Sequence, residues 1–145
     1  MSISNIIKQV EQVQSNLNSQ AKIFLENDKK EILDLVRIDQ LFSKGEDADG
    51  EKLIPYTSFT KAAKRSEGKD PNVVTLLDDG DYYRGFDSTL IADDVLNIFS
   101  RDGKARELSE KYGSRIDDLS DSNEEKVNSK LEEKLVTWML SKVKI

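Results

Sequence analysis

The sequence contains no cysteine and no histidine, and only two prolines and one tryptophan in 145 residues. Without cysteine there is no disulfide framework, no thiolate nucleophile and no cysteine-ligated zinc or iron–sulfur site. Without histidine there is no Ser-His-Asp or Cys-His catalysis and no imidazole ligand for a metal. No run of residues approaches the ~18 consecutive apolar positions of a membrane-spanning helix. The start, Met1-Ser2-Ile3-Ser4-Asn5, lacks the basic and apolar regions of a signal peptide. Apolar residues make up 37% of the chain and charged ones 34%, against a usual charged share of ~25%. These counts predict one soluble domain over residues 1–145, made in a reducing cytoplasm, with no membrane partner. Its core is thin, and a partner completes part of its apolar surface.

What is present begins with a helix. Ile3, Ile6, Val10, Val13, Leu17, Gln20 and Phe24 recur at alternating steps of three and four, and neither Gly nor Pro occurs before residue 45. That spacing predicts an amphipathic helix from about Ser4 to Glu26. Its stripe either packs on the protein's own body or pairs with another helix. Asn27-Asp28 interrupts it, with Asp28 and Glu31 spaced as a capping box. Ile32, Leu35, Val36, Leu41 and Phe42 then predict a second helix that closes at Gly45, a residue type favoured just past a helix end.

The middle of the chain reads as short elements. Glu46-Asp47-Ala48-Asp49-Gly50-Glu51 is an acidic turn. It fails as a calcium loop: with Gly50 as the obligatory glycine, Gly45 and Tyr56 stand where carboxylates are needed. A short helix is expected over Ser58–Arg65, with Lys61, Lys64 and Arg65 projecting from it. Val73 to Leu77 has strand composition. Asp87–Ala92 and Val95–Ser100 predict a β-hairpin around Asp93-Asp94, with Leu96, Ile98 and Ser100 on one face. Lys104–Tyr112 predicts a helix closed by Gly113, and Ile116 and Leu119 anchor the following loop. Ser122 and Glu125 form a capping box for a last helix carrying Val127, Leu131, Leu135, Trp138, Met139 and Val143 on one side. Trp138 is read as a core or interface anchor. The fold class is α+β: an N-terminal helical pair over 1–44, a mixed core over 45–120 with a small antiparallel sheet, and a C-terminal helix over 121–145.

Chemistry is sparse in this pattern. Asp78, Asp79, Asp81, Asp93, Asp94, Asp117 and Asp118 lie in no recognisable metal or hydrolase motif, and no phosphate-binding glycine motif occurs. The expectation is a protein that is not an enzyme and has no cofactor and no metal. The residues expected to make interactions are Ile3, Ile6, Val10, Val13, Leu17 and Trp138, with Lys61, Lys64 and Arg65. The last three, joined by Lys69 and near Tyr56 and Phe59, offer a nucleic-acid alternative, against which Glu67 and Asp70 weigh. A small cytoplasmic adaptor using the N-terminal stripe is the other alternative. Charge falls in blocks: residues 46–51, 78–94 and 116–125 are acidic, and 52–75 and 126–145 are basic. Complementary blocks on neighbouring copies would fix register between them.

Several phrases resemble small morphogenesis proteins of tailed bacteriophages, of the neck, head–tail connector and tail-completion type. They are Gln40-Leu41-Phe42-Ser43-Lys44-Gly45, Asp47-Ala48-Asp49-Gly50, Pro55-Tyr56-Thr57 with Thr60, and Val74 through Phe86. Lys111-Tyr112-Gly113, with Ile116 and Leu119, sits where such proteins carry a similar phrase. The resemblance covers about residues 38–120. It implies a structural virion protein that forms a homo-oligomeric ring at the portal–tail junction, after assembly in the host cytoplasm. Portal, adaptor or tail subunits would be its neighbours and double-stranded DNA only a passing cargo. An acidic turn, Glu46–Glu51 or Asp78–Asp81, would then suit a DNA conduit.

Overall fold

A computed structural model of the chain describes residues 2–92 and 95–144. The elements are α1 (Ile3–Asn27), α2 (Lys29–Asp34), a π-helical segment (Leu35–Lys44), α3 (Ser58–Ser66), α4 (Asp81–Arg84), β1 (Phe86–Ala92), β2 (Val95–Ser100), α5 (Ala105–Tyr112) and α6 (Asp121–Lys142). The architecture is α+β, as the sequence predicts. Two compact units carry it: Met1–Lys30 with Glu124–Ile145, and Glu31–Asn123.

The first unit is a pair of long helices. Ser2 caps α1, its hydroxyl accepting from the Asn5 N–H at 3.3 Å, and the Asp28 N–H closes the other end on the Phe24 carbonyl at 2.9 Å. The helices run antiparallel. Near the start of α1 the Gln9 side chain accepts from the Lys144 N–H at 2.8 Å, while past its end the Asp28 carboxylate accepts from Lys134 Nζ at 2.6 Å. Lys134 also lies over the Phe24 ring, 5.7 Å from its centroid. The cap expected at Ser122 lies two residues earlier: the Ser120 hydroxyl accepts from the Asn123 N–H at 3.4 Å, and Ser122 is already helical.

The second unit holds the core. The helix predicted to end at Gly45 exists, but from Leu35 onward it is wound with the wider π turn. That winding explains which residues face inward. Ile32, Leu33, Val36, Gln40, Leu41 and Gly45 are buried, and within the π-helical segment the step from Val36 to Leu41 is five, whereas an α-turn advances by 3.6. Phe42, expected on the inner face, is therefore exposed, and Gln40, expected nowhere, is buried.

Gly45 closes this segment at φ +62°. A Cβ there would stand 2.9 Å from Val73 Cγ1 and 3.0 Å from the Val74 carbonyl oxygen, so the position needs glycine for both conformation and space. Gln40 is satisfied by the chain's later loop. Its amide donates to the Asp118 carbonyl at 2.9 Å and accepts from the Ser120 N–H at 2.8 Å and from Asn123 Nδ2 at 2.9 Å. Asn123 also donates to the Asp39 carboxylate at 3.0 Å. This network, together with buried Ile116 and Leu119, fastens residues 116–123 to the π-helical segment.

The hairpin forms as predicted. β1 and β2 pair antiparallel from Phe86↔Ser100 to Ala92↔Val95, with an irregularity between Leu90 and Ala92. The sequence leaves neither face cleanly polar and so expects both to be covered. Ile98 is buried and Leu96 and Ser100 half-buried, but Val95 and Asn97 on the other face are exposed, so one face is inner. The Asp93-Asp94 turn lies outside the described residues.

Val73 to Leu77, expected as a strand, is not one. Leu76 adopts φ +55°, which breaks extended geometry. Side chains satisfy this backbone where a strand would use a ladder. The Tyr56 hydroxyl accepts from the Thr75 N–H at 3.2 Å, Lys64 Nζ donates to the Leu77 carbonyl at 2.9 Å, and the Tyr83 hydroxyl donates to the Thr75 carbonyl.

Candidate assembly surface

The residues expected to make interactions divide between the two units. In the helical pair, Val13 is buried and Ile6 and Leu17 are half-buried, but Ile3 and Val10 are exposed, at 76% and 47%. The buried or half-buried residues of α1 are Ile6, Gln9, Val13, Leu17, Gln20, Ala21, Phe24 and Leu25, with Leu17 and Ala21 on the edge of that face. Gln9 takes the place expected for Val10, because its amide reaches the Lys144 backbone and so belongs at the contact. Ile3 is left outside because α6 stops level with Gln9.

A second apolar run on α1 was missed by reading one stripe. Ile3, Ile7 and Val10 are exposed at steps of four and three. On α6 the predicted side, Val127, Leu131, Leu135, Trp138, Met139 and Val143, is half-buried throughout. Val136 and Leu140 stand outside it, at 42% and 73% exposure. The signal for all of these was in the sequence as a second run at helical spacing.

Between α1 and α6 lies a groove of about 450 Å³. Gln9, Gln12, Asn16 and Gln20 give it amide walls, with Ile23 and Trp138 at its apolar part. It offers no titratable cluster.

The basic residues do not project as a set. Lys64 turns inward to the Leu77 carbonyl and sits 5.2 Å from the Tyr56 ring centroid. Lys61 is half-buried and Arg65 exposed. Lys69 pairs with Glu67 at 2.9 Å, which holds the Glu67 carboxyl below and the Lys69 ammonium above their usual ranges.

The acidic turns are similarly occupied. Asp47 accepts from the N–H groups of Asp49 and Glu51 at 2.9 and 3.0 Å, closing the Glu46–Glu51 turn. Asp79 accepts from the Asp81 N–H at 2.9 Å, which holds its carboxyl below the usual carboxylate range. Asp117 is shifted the opposite way, because burial penalises its charge and Asp118 lies beside it.

One cleft in the second unit, of about 320 Å³, is lined by Tyr56, Lys64, Leu77, Tyr82, Lys104 and Tyr112 among others. The Tyr82 hydroxyl is buried and has no hydrogen-bond partner among the described residues, and burial raises its pKa. Among the described residues no group of three or more Asp or Glu is placed to hold a metal ion. Among the same residues no helix is long and apolar enough to cross a membrane. No protein-family model, curated protein or solved structure matches the chain.

Proposed function

We propose that the chain is a non-enzymatic structural subunit of a tailed-bacteriophage connector, forming a ring at the neck or the end of the tail tube. The observation that carries self-assembly is the pair of separate apolar runs left outside the helical pair, Ile3, Ile7 and Val10 on α1 and Val136 and Leu140 on α6. Exposed apolar surface of this kind marks interaction sites. Two different faces favour head-to-tail contact, which closes into a ring where the copies are related by rotation alone. The place in the virion rests on the resemblance over about residues 38–120.

The nucleic-acid alternative loses support, because two of its four cations are engaged, Lys64 with the Leu77 carbonyl and Lys69 with Glu67. Light scattering across concentration, with electron micrographs of the same sample, tests the proposal. Closed rings, or rings formed on an isolated phage portal, are the expected result. A chain that stays near 16.5 kDa in both settings returns the reading to a monomeric adaptor.

A further inference from the structure

α1 and α6 each carry a second seam beyond the one that joins them. On α1 it runs Val10, Gln14, Leu17, Ala21, at steps of four, three and four. On α6 it runs Glu133, Val136, Leu140, Val143, at steps of three, four and three. Val10, Gln14, Glu133, Val136 and Leu140 are exposed, and Leu17, Ala21 and Val143 are half-buried. Alternating three-four spacing is what a helix needs to present one continuous seam to a partner helix.

Laid antiparallel, the two seams mesh. Val10 meets Val143, Gln14 meets Leu140, Leu17 meets Val136 and Ala21 meets Glu133. Each step of four along α1 is matched by a step of three along α6, and the next pair restores the balance, so the register does not drift. The flanking charges agree with it. Glu11 falls beside Lys144, a pairing of opposite sign. The alignment is also the one already used inside the pair, where Gln9 meets Lys144.

We infer that α1 of one copy packs through this second seam against α6 of the next copy, at the same height along the helix axes. The inference rests on the ring reading and names its interface. Equal height is what a ring requires. Copies related by rotation alone close on themselves, whereas an axial offset at each contact would produce a filament. The resulting wall alternates α1 and α6, every helix antiparallel to both neighbours.

The absence of native cysteine makes the test direct. In the full chain, Leu17→Cys with Val136→Cys is oxidised and read by denaturing gel. A ladder of covalent multimers is expected. Val10→Cys with Val136→Cys, displaced by seven residues along α1, is expected to give no ladder. Equal ladders from both pairs, or none from the first, overturn the register.

Charge supplies a second readout. Glu11→Lys is expected to weaken self-association about tenfold, and Glu11→Lys with Lys144→Glu to restore it. Oligomers that form but ignore both the cysteine and the charge variants overturn this interface and leave the ring reading standing. Failure of the unaltered chain to associate at any concentration or on a portal overturns both.

Discussion

The two units differ in how much of their apolar content they bury. Among the described residues, thirteen of the fourteen buried apolar side chains belong to Glu31–Asn123, and only Val13 belongs to the helical pair. The second unit also spends buried polar groups on itself, with Gln40 and Asn123 bonded to each other and to the backbone. Both units leave large apolar side chains outside, Ile3, Ile7, Val10, Ile23, Val136 and Leu140 in the helical pair and Ile38, Phe42, Ile54, Phe59, Ile91 and Val95 in the second unit, so the contrast lies in what is buried. A region that has closed its own core resists substitution there. A region that has not closed it is built to be completed, and its substitutions should register in association before stability. Every prediction below tests that division.

The largest loss of stability is expected at Gln40→Ala. It leaves the Asp118 carbonyl and the Ser120 N–H without their partner in a part-buried site and takes one acceptor from Asn123, which keeps the Asp39 carboxylate. A buried group stripped of its partner costs about 1–3 kcal/mol, so several together should cost about 3–5 kcal/mol in chemical denaturation. A loss below 1 kcal/mol would mean water replaces the amide and the second unit is less closed than its burial implies.

Gly45→Ala comes next. The new methyl group meets Val73 Cγ1 and the Val74 carbonyl, and the backbone is held at φ +62°. Strain of this kind costs about 1–3 kcal/mol, and the thermal midpoint should fall accordingly.

Two adjacent tyrosines sharpen the comparison within the second unit. Tyr83→Phe removes the donor to the Thr75 carbonyl and should cost about 1–2 kcal/mol. Tyr82→Phe removes a buried hydroxyl that has no partner among the described residues, and should be neutral or stabilising. Equal losses in both would show that the Tyr82 hydroxyl is satisfied.

Asp117 gives a pH-dependent effect of the same origin. Its folded pKa is raised by burial, so ionising it opposes folding. The penalty is full at pH values above the raised folded value. It fades as pH falls through that value toward the unfolded one. Asp117→Asn should therefore be more stable than the parent at neutral pH, with the advantage vanishing as acid is added. An advantage that grew in acid would reverse the sign and refute the shift.

Local features were legible in the sequence and distant ones were not. The extent of α1, the hairpin, the helix ends at Gly45 and Gly113, and the anchors Ile116 and Leu119 all follow from spacing or from one residue's conformational freedom. The burial of Gln40 does not. Its partners, Asp118, Ser120 and Asn123, lie 78 to 83 residues away, and an amide facing them looks like any surface glutamine. The π winding was hidden for a related reason: Ile32, Val36 and Leu41 fit a helical stripe at either pitch, and only burial of Gly45 and exposure of Phe42 separate the two. Val73 to Leu77 has the β-branched start of a strand, but no second strand is available to it. Tyr56, Tyr83 and Lys64 then satisfy its backbone, and Leu76 turns out of extended geometry. On the candidate surface, reading one stripe along α1 hid the second, because adjacent residues such as Ile6 and Ile7 serve different faces.

The smallest expected change in stability is the one that separates the units most sharply. Val10 is exposed, so Val10→Asp adds a charge that water solvates and removes no buried contact. The folded chain should lose less than about 0.5 kcal/mol, as exposed substitutions usually do. Self-association should nevertheless collapse, because the carboxylate would have to be desolvated against Val143 of the next copy without a partner. Circular dichroism melts and light scattering on the same sample read the two quantities apart. An unfolded variant would place Val10 in the core of the pair and contradict its exposure. A folded variant that still assembles as the parent does would leave the outer run of α1 without a role, and the thin core of the helical pair would need another cause.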